Sequence, residues 1–127
     1  MSDELTVRRH SPSGECLIAR LETARTPWTR LIGLLGRTTL PPGHGLLLDP
    51  CPSIHTFGML FPIDAIFLDN ENRITRIHRN IGPFRIVFGG RKATRVIEVQ
   101  SGWLPKDAIA ISDHLAFCRM SSSPSPS

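Results

Sequence analysis

The amino-acid sequence predicts a mainly β fold: a compact single-domain β-sandwich or barrel of about seven to eight short strands, with one short helix near residues 26–36. Two observations carry this prediction. Short apolar runs rich in β-branched residues recur along the chain, separated by Gly, Pro and Asn turn signals about every 8 to 12 residues. Only one segment combines a helical period of apolar residues with matching start and stop signals.

Most of the chain divides into strand-like segments. Those predicted as strands are ELTVRR (4–9), ECLIARLE (15–22), LLLD (46–49), IDAIFLD (63–69), RITRIHR (73–79), TRVIEVQ (94–100), AIAI (108–111) and HLAFCRM (114–120). The turn-forming DNEN between IDAIFLD and RITRIHR predicts a β-hairpin. RITRIHR also fits a helical period, but its β-branched residues and the tight turn before it favour a strand. Residues 79–93 are predicted as loop-rich because Gly-Pro and Gly-Gly pairs interrupt them.

The single predicted helix lies in the segment RTPWTRLIGLLGR. Thr26 can cap its first free N–H groups, Pro27 suits the first helical position, and Gly36 suits the end of the helix. Four apolar residues fall at i, i+3, i+4 and i+7, on one face that would pack on a core. These residues are Trp28, Leu31, Ile32 and Leu35.

Length and composition indicate one folded unit. The 127 residues suffice for a single β-rich domain over residues 1–120, and the Ser/Pro-rich tail 121–127 is predicted to be disordered. No run approaches the roughly 18 apolar residues that a membrane helix requires. The first residues carry acid where a signal peptide would need a basic and then an apolar stretch, so we expect a cytoplasmic protein, as a monomer or a homodimer.

The basic residues are unevenly distributed. The net charge is +4, and the segment 73–95 contains seven basic residues and no acidic one. Such a block can attract phosphate groups, so nucleic acid or an acidic partner is one hypothesis. It is not the favoured one, because the block has only two aromatic residues, Phe84 and Phe88, and no recognition helix. A solvated sheet face explains the same pattern.

Four short motifs stand in a characteristic order: GLLGR (33–37), HTFGM (55–59), IDAIFLD, and VIEVQSG, in which Glu98 precedes Gly102 by four residues. Together they resemble the prokaryotic domain-of-unknown-function family 192 (DUF192), over residues 16–118. The resemblance implies a compact β-sandwich or barrel with a short helix, in agreement with the strand count. It implies no established reaction.

Soft-metal binding is the first chemistry that HTFGM suggests. Cys51, His55 and Met59 are spaced by four residues, and thiolate, imidazole and thioether would suit copper. That spacing aligns side chains only on a helix, and the surrounding prolines and Gly58 disfavour one. We therefore predict no metal and no cofactor. The three cysteines of the chain are also too few and too widely spaced for a disulfide framework.

Two carboxylates interrupt apolar strands and need partners. Asp64 lies among isoleucines in IDAIF, and Glu98 lies between Ile97 and Val99. Their desolvation favours either structural hydrogen bonds or a place in a pocket. We predict a polar pocket near HTFGM that takes an anionic or polyhydroxy small molecule. The residues assigned to it are His55, Thr56, Met59, Asp64, Glu98 and Arg37.

An enzyme is the alternative for the same residues. If Asp64 and Glu98 faced each other beside His55, the three groups could perform acid–base hydrolysis. The sequence contains no G-x-S-x-G nucleophile motif and no phosphate-binding or dinucleotide-binding glycine motif. The sequence does not decide whether the protein is an enzyme, and we assign no catalytic residue from it.

Overall fold

The computed structural model describes residues 4–9, 14–24 and 39–119, which form nine β-strands and one short 3₁₀ helix (Lys106–Ala108). The strands are β1 (Glu4–Arg9), β2 (Cys16–Ala24), β3 (His44–Leu48), β4 (Ser53–His55), β5 (Ile63–Leu68), β6 (Ile74–Ile81), β7 (Ile86–Phe88), β8 (Arg95–Gln100) and β9 (Leu115–Arg119). The predicted helix near residues 26–36 and the predicted tail lie outside the described residues. None of the described segments forms a helix long and apolar enough to cross a membrane.

Seven of the strands form one curled sheet, in the order β6-β5-β8-β3-β2-β1-β9, and β4 and β7 form a second, two-stranded sheet. All neighbouring pairs are antiparallel except β2 and β3. The two outer strands of the large sheet meet at one end through a bridge between Arg73 and His114. Backbone hydrogen bonds support it, from the Ile74 N–H to the Asp113 carbonyl at 2.9 Å and from the Leu115 N–H to the Asn72 carbonyl at 2.9 Å. The large sheet is therefore a half-barrel.

Alternation along the central strands divides the apolar residues between two cores. All six residues of β5 are buried, because both faces of the sheet are covered there. Ile66 and Leu68 pack in the core on the concave side, which draws on all the strands of the large sheet. Ala65 and Phe67 pack on the convex side, against Val87 and other residues of the small sheet and the adjoining loops. The small sheet thus closes the second core.

The prediction of a β-sandwich or barrel is confirmed, and so is the β5–β6 hairpin. One local prediction was wrong. Residues 108–111, predicted as a strand, instead comprise the end of the 3₁₀ helix and the start of a turn that Asp113 closes: the Ala110 N–H donates to the Asp113 carboxylate at 2.9 Å, and the Asp113 N–H donates back to the Ala110 carbonyl at 3.0 Å. The loop-rich segment 79–93 contains β7, a strand of three residues of which only Val87 is buried.

Gly89, directly after β7, lies tightly against the second core. This close approach leads to a stability prediction. A β-carbon at Gly89 would lie 2.3 Å from the Phe67 ring and 2.5 Å from the Ala93 methyl. We expect Gly89→Ala to lower the free energy of unfolding by about 1–3 kcal/mol through overpacking. Urea unfolding followed by circular dichroism measures this.

The matched control is Gly82→Ala, because a β-carbon there meets no atom within 4 Å. Gly82→Ala should leave the unfolding midpoint unchanged or slightly higher. Equal midpoints for both variants would contradict the close approach at Gly89.

Candidate functional site

Asp64 stands at the start of β5, at one end of the half-barrel, and is only 1% exposed. The register of the β5–β6 pair passes from Ile63↔Ile81 to Ala65↔His78, so two residues of β6 oppose Asp64 in a β-bulge. One carboxylate oxygen accepts the Asn80 N–H at 2.8 Å. The other accepts Arg79 Nη1 at 3.2 Å and the Gly102 N–H at 3.2 Å. These bonds satisfy the buried charge and fix the bulge.

An open cleft of about 330 Å³ lies beside this carboxylate. Among the described residues, those that line it are Asp64, Arg79, Asn80, Ser101, Gly102, Leu104, Pro105 and Lys106. The Arg79 guanidinium is anchored twice more, by donating to the Leu104 carbonyl at 2.7 Å and to the Pro105 carbonyl at 3.3 Å. The Ser101 hydroxyl donates to the Asn80 side chain at 3.2 Å. The polar groups of the cleft are therefore held in fixed positions by the loops that bring them together.

The backbone of the cleft uses left-handed conformations at two facing positions. Asn80 has φ 54° and Gly102 has φ 80°. Both residues turn an N–H toward the Asp64 carboxylate. Asn is among the few residues with a side chain that adopt this region readily, and glycine does so without steric cost.

Thr56, in the HTFGM motif, is a structural residue. It is 1% exposed, and its hydroxyl donates to the Gly82 carbonyl at 2.7 Å while accepting the Arg85 N–H at 2.9 Å. Its own N–H donates to the Arg85 carbonyl at 2.9 Å. Thr56 thereby holds the turn between β6 and β7 against β4, and its hydroxyl both donates to and accepts from backbone groups of that turn.

The residues before and after Thr56 differ in exposure. His55 is exposed on the outer face of the small sheet, where its ring lies 5.5 Å from that of Phe57. Met59 is buried in the second core. Cys51 is packed partly against the same core, and its thiol donates to the Ser53 carbonyl at 2.9 Å. The described residues contain no group of three or more His, Cys, Asp and Glu side chains that could hold a metal ion.

Glu98 lies on the other face of the sheet from Asp64. It pairs with Ala65 on β5 and Leu46 on β3, whereas Asp64 pairs with Val99. Because successive residues of a strand point to opposite faces, the two carboxylates diverge. Glu98 is 5% exposed, and desolvation by burial raises its pKa from 4.5 to about 7. A carboxyl with such a pKa is partly protonated at neutral pH.

The structure therefore separates the residues assigned to the predicted pocket. Asp64 lines the cleft, while His55, Thr56, Met59 and Glu98 do not. Arg37 lies outside the described residues. The cleft residues that come from β6 and from the loop after β8 were not predicted from the sequence. One signal was available: in a tight β5–β6 hairpin, the residues opposite Asp64 must come from the end of RITRIHRN, which carries Arg79.

A second, larger cleft of about 500 Å³ lies between the β5–β6 turn and the loop after β7. Side chains of both charges line it, among them Asp69, Glu71, Arg73, Arg91 and Lys92. Asp69 is engaged in its own turn, where its carboxylate accepts the Glu71 N–H at 2.8 Å and the Arg73 N–H at 3.0 Å. None of the lining residues is buried, so this cleft lacks the fixed polar base that the Asp64 cleft has.

Comparison with known families identifies the architecture. Residues 8–117 match the family DUF192, described as "Uncharacterized ACR". The chain belongs to the DUF192 family. The match includes HTFGM, the Asp64 strand and the Glu98 strand, so the resemblance predicted from the four motifs is confirmed. No curated protein matches this DUF192 chain.

Two crystal structures share the fold. One is of a putative transcription regulator from Sinorhizobium meliloti 1021, with a TM-score of 0.79 and 25% sequence identity, covering 91% of this chain and 95% of that one. The other is of a protein of unknown function from Novosphingobium aromaticivorans DSM 12444, with a TM-score of 0.76 and 24% identity, covering 91% of this chain and 84% of that one. Like them, this DUF192 protein is a small β-rich module.

The raised pKa of Glu98 predicts a particular pH dependence of stability. Because the folded-state pKa of about 7 exceeds the unfolded value of 4.5, the folded protein binds the proton more tightly. The stability due to this group is fully present below pH 4.5 and is lost as the pH rises to about 7. The shift corresponds to about 3 kcal/mol.

Glu98→Gln cannot ionise, so its unfolding free energy should not show this fall. The measurement is urea unfolding of both proteins from pH 4 to pH 8, with the exposed Glu71→Gln as control. Parallel pH profiles for the wild type and Glu98→Gln would contradict a desolvated carboxyl at position 98.

The double hydrogen bond of the Thr56 hydroxyl predicts a contrast between two substitutions. Thr56→Val keeps the shape but leaves the Gly82 carbonyl and the Arg85 N–H unpaired, at a cost of about 2–4 kcal/mol. Thr56→Ser keeps the hydroxyl and loses one methyl group, at about 1 kcal/mol. Thermal and urea unfolding test the order; a valine variant as stable as the serine variant would show that the hydroxyl is dispensable.

Proposed function

We propose that this protein is a binding module whose Asp64 cleft takes a small anionic molecule that carries hydroxyl groups. One observation supports this above the others: at its base the cleft has a buried carboxylate, Asp64, that is hydrogen-bonded to the half-buried guanidinium of Arg79. Ligand sites are commonly concave and contain a few polar groups whose orientation is fixed in advance. A volume of about 330 Å³ suits a ligand the size of a monosaccharide derivative.

The charges and hydrogen-bonding groups of the cleft favour that chemistry. The single carboxylate is already matched by Arg79, with which it forms an ion pair at 3.2 Å. Lys106 adds an exposed positive charge at the rim. The cleft therefore has a net positive charge, which attracts an anion. The Ser101 hydroxyl and the Asn80 amide can exchange hydrogen bonds with ligand hydroxyl groups.

The hydrolase hypothesis is not the one we favour. It needs Asp64, Glu98 and His55 at one place, and these side chains lie respectively at the cleft, on the opposite face of the large sheet, and on the outer face of the small sheet. Asp64 also uses both oxygens in hydrogen bonds to the protein, which leaves it poorly suited as a general base.

Titration of ¹⁵N-labelled protein with glucose 6-phosphate and glucuronate, followed by amide chemical shifts, tests the binding proposal. We expect shifts at Asn80, Ser101 and Gly102, and smaller or no shifts with neutral glucose. Lys106→Ala should raise the Kd about threefold to tenfold, because it removes one exposed charge-assisted contact.

The matched control is Arg119→Ala, which removes one exposed positive charge from β9, outside the cleft lining. Its Kd should equal that of the wild type. Shifts confined to other regions, or an equal loss of affinity in Lys106→Ala and Arg119→Ala, would contradict binding at the cleft.

A further inference from the structure

The outer face of the small sheet exposes a group of large apolar side chains. The pairs Ser53↔Phe88 and His55↔Ile86 point outward, because Ile54 and Val87 between them are buried in the second core. Phe57 and Phe84 adjoin this face at the ends of β4 and β7. We call Phe57, Phe84, Ile86 and Phe88, with His55, the aromatic face; the four apolar side chains are 45%, 76%, 56% and 61% exposed.

Three of these rings stand in a row. The His55 and Phe57 centroids are 5.5 Å apart, and the Phe57 and Phe84 centroids are 5.9 Å apart, with tilts of 40° and 41°. Phe84 adopts φ 60°, a left-handed conformation that costs free energy for a bulky residue. The Thr56 hydroxyl bonds on both sides of it, to Gly82 and to Arg85, and holds this turn in place. The turn therefore keeps Phe84 in an unfavourable backbone conformation in which its ring is exposed to solvent.

The surroundings of the aromatic face are positively charged. No acidic residue occurs in residues 51–63 or 73–95, the two segments that contain the small sheet. Arg76 donates to the Phe88 carbonyl at 3.5 Å, and Arg85 lies between Phe84 and Ile86 in the chain. Arg76 and Arg85 are thus exposed cations beside the aromatic face, and neither forms an ion pair with another described residue. Arg91 and Lys92 line the second cleft instead, together with Asp69 and Glu71.

We propose that the aromatic face binds single-stranded nucleic acid, with bases stacked on the phenylalanine rings and phosphates contacted by Arg76 and Arg85. Exposed rings on a sheet combined with cations that follow the backbone constitute the chemistry by which proteins hold single strands without reading sequence. The face is distinct from the Asp64 cleft and does not depend on a ligand there.

The charge and the side-chain types favour this occupant over two others. A second copy of the chain would bring two more arginines against the same face, and like charges oppose that contact. A lipid surface would accept aliphatic side chains as readily as rings, whereas the aromatic face has three phenylalanines and one isoleucine. Planar rings in a row match stacked bases.

Fluorescence anisotropy of a labelled oligothymidine and a labelled oligouridine, each about 20 nucleotides long, tests the proposal on the full chain. Two phosphate contacts imply that log Kd rises with log salt with a slope of about 1.4, so affinity should fall roughly sevenfold between about 50 and 200 mM salt. Arg85→Ala should lower this slope by about 0.7, whereas Arg119→Ala, on β9, should leave it unchanged.

Ring substitutions separate stacking from general charge attraction. Phe84→Ala and Phe88→Ala should each raise the Kd at least about fivefold, because stacking on one ring contributes that much per base. The control is Ile111→Ala, an equally exposed apolar residue in the turn before β9. Its Kd should not change. Unfolding curves of all variants confirm that each is folded under the binding conditions.

Three results would overturn the proposal. The first is no binding of either oligonucleotide at the lower salt concentration, or binding that the ring variants leave unchanged. The second is sedimentation with phosphatidylglycerol-containing vesicles, lost in Phe84→Ala, without oligonucleotide binding; this would assign the face to a membrane surface. The third is a dimer in light scattering that Phe88→Ala converts to a monomer, which would assign the face to a second copy.

Discussion

The buried carboxylate of Asp64 is the constraint on which one end of the fold depends. A charge that is 1% exposed must be matched by several donors, and here the donors come from two separate chain segments, the β6 bulge and the turn after β8. Satisfying it fixes the register of β5 against β6. A slip of one residue would turn Ile66 and Leu68 out of the concave core, so the polar contact and the apolar packing enforce the same pairing. The cleft is a consequence of these bonds.

Thr56 has a comparable role for the small sheet. A two-stranded sheet of three-residue strands has little stability of its own, and it must be held by what it covers and by its connections. Ile54 and Val87 attach the small sheet to the surface it covers, by packing with Phe67 and its neighbours in the second core. The Thr56 hydroxyl stabilises the connection between the strands, because it joins the β6–β7 turn to β4. In the HTFGM motif, the buried Thr56 thus joins the turn to the small sheet by hydrogen bonds, whereas His55 and Phe57 are exposed.

The strands were predictable from the sequence because short runs of β-branched and apolar residues bounded by turn residues are a local signal. Residues 63–68 and 95–100 are such runs, and the tight DNEN turn makes β5 and β6 neighbours. The order of the remaining strands was not predictable, since it depends on contacts between distant segments. The strand order determines which side chains can meet. Because β8 pairs with β5 so that Glu98 lies opposite Ala65, the carboxylates of Asp64 and Glu98 point to opposite faces of the sheet. The hairpin indicates only that the residues opposite Asp64 come from the end of β6. The bulge and the left-handed Asn80, which turn their N–H groups and the Arg79 side chain toward the carboxylate, leave no periodic signal.

The segment from Arg79 to Arg85 connects the cleft to the aromatic face. Asn80 bonds to Asp64 at one end, the Gly82 carbonyl accepts from Thr56 in the middle, and the Arg85 N–H donates to Thr56 at the other end. Phe84 lies between the last two anchors. Both surfaces therefore depend on hydrogen bonds made by this one segment, at the cleft through Asn80 and beside the aromatic face through Gly82 and Arg85.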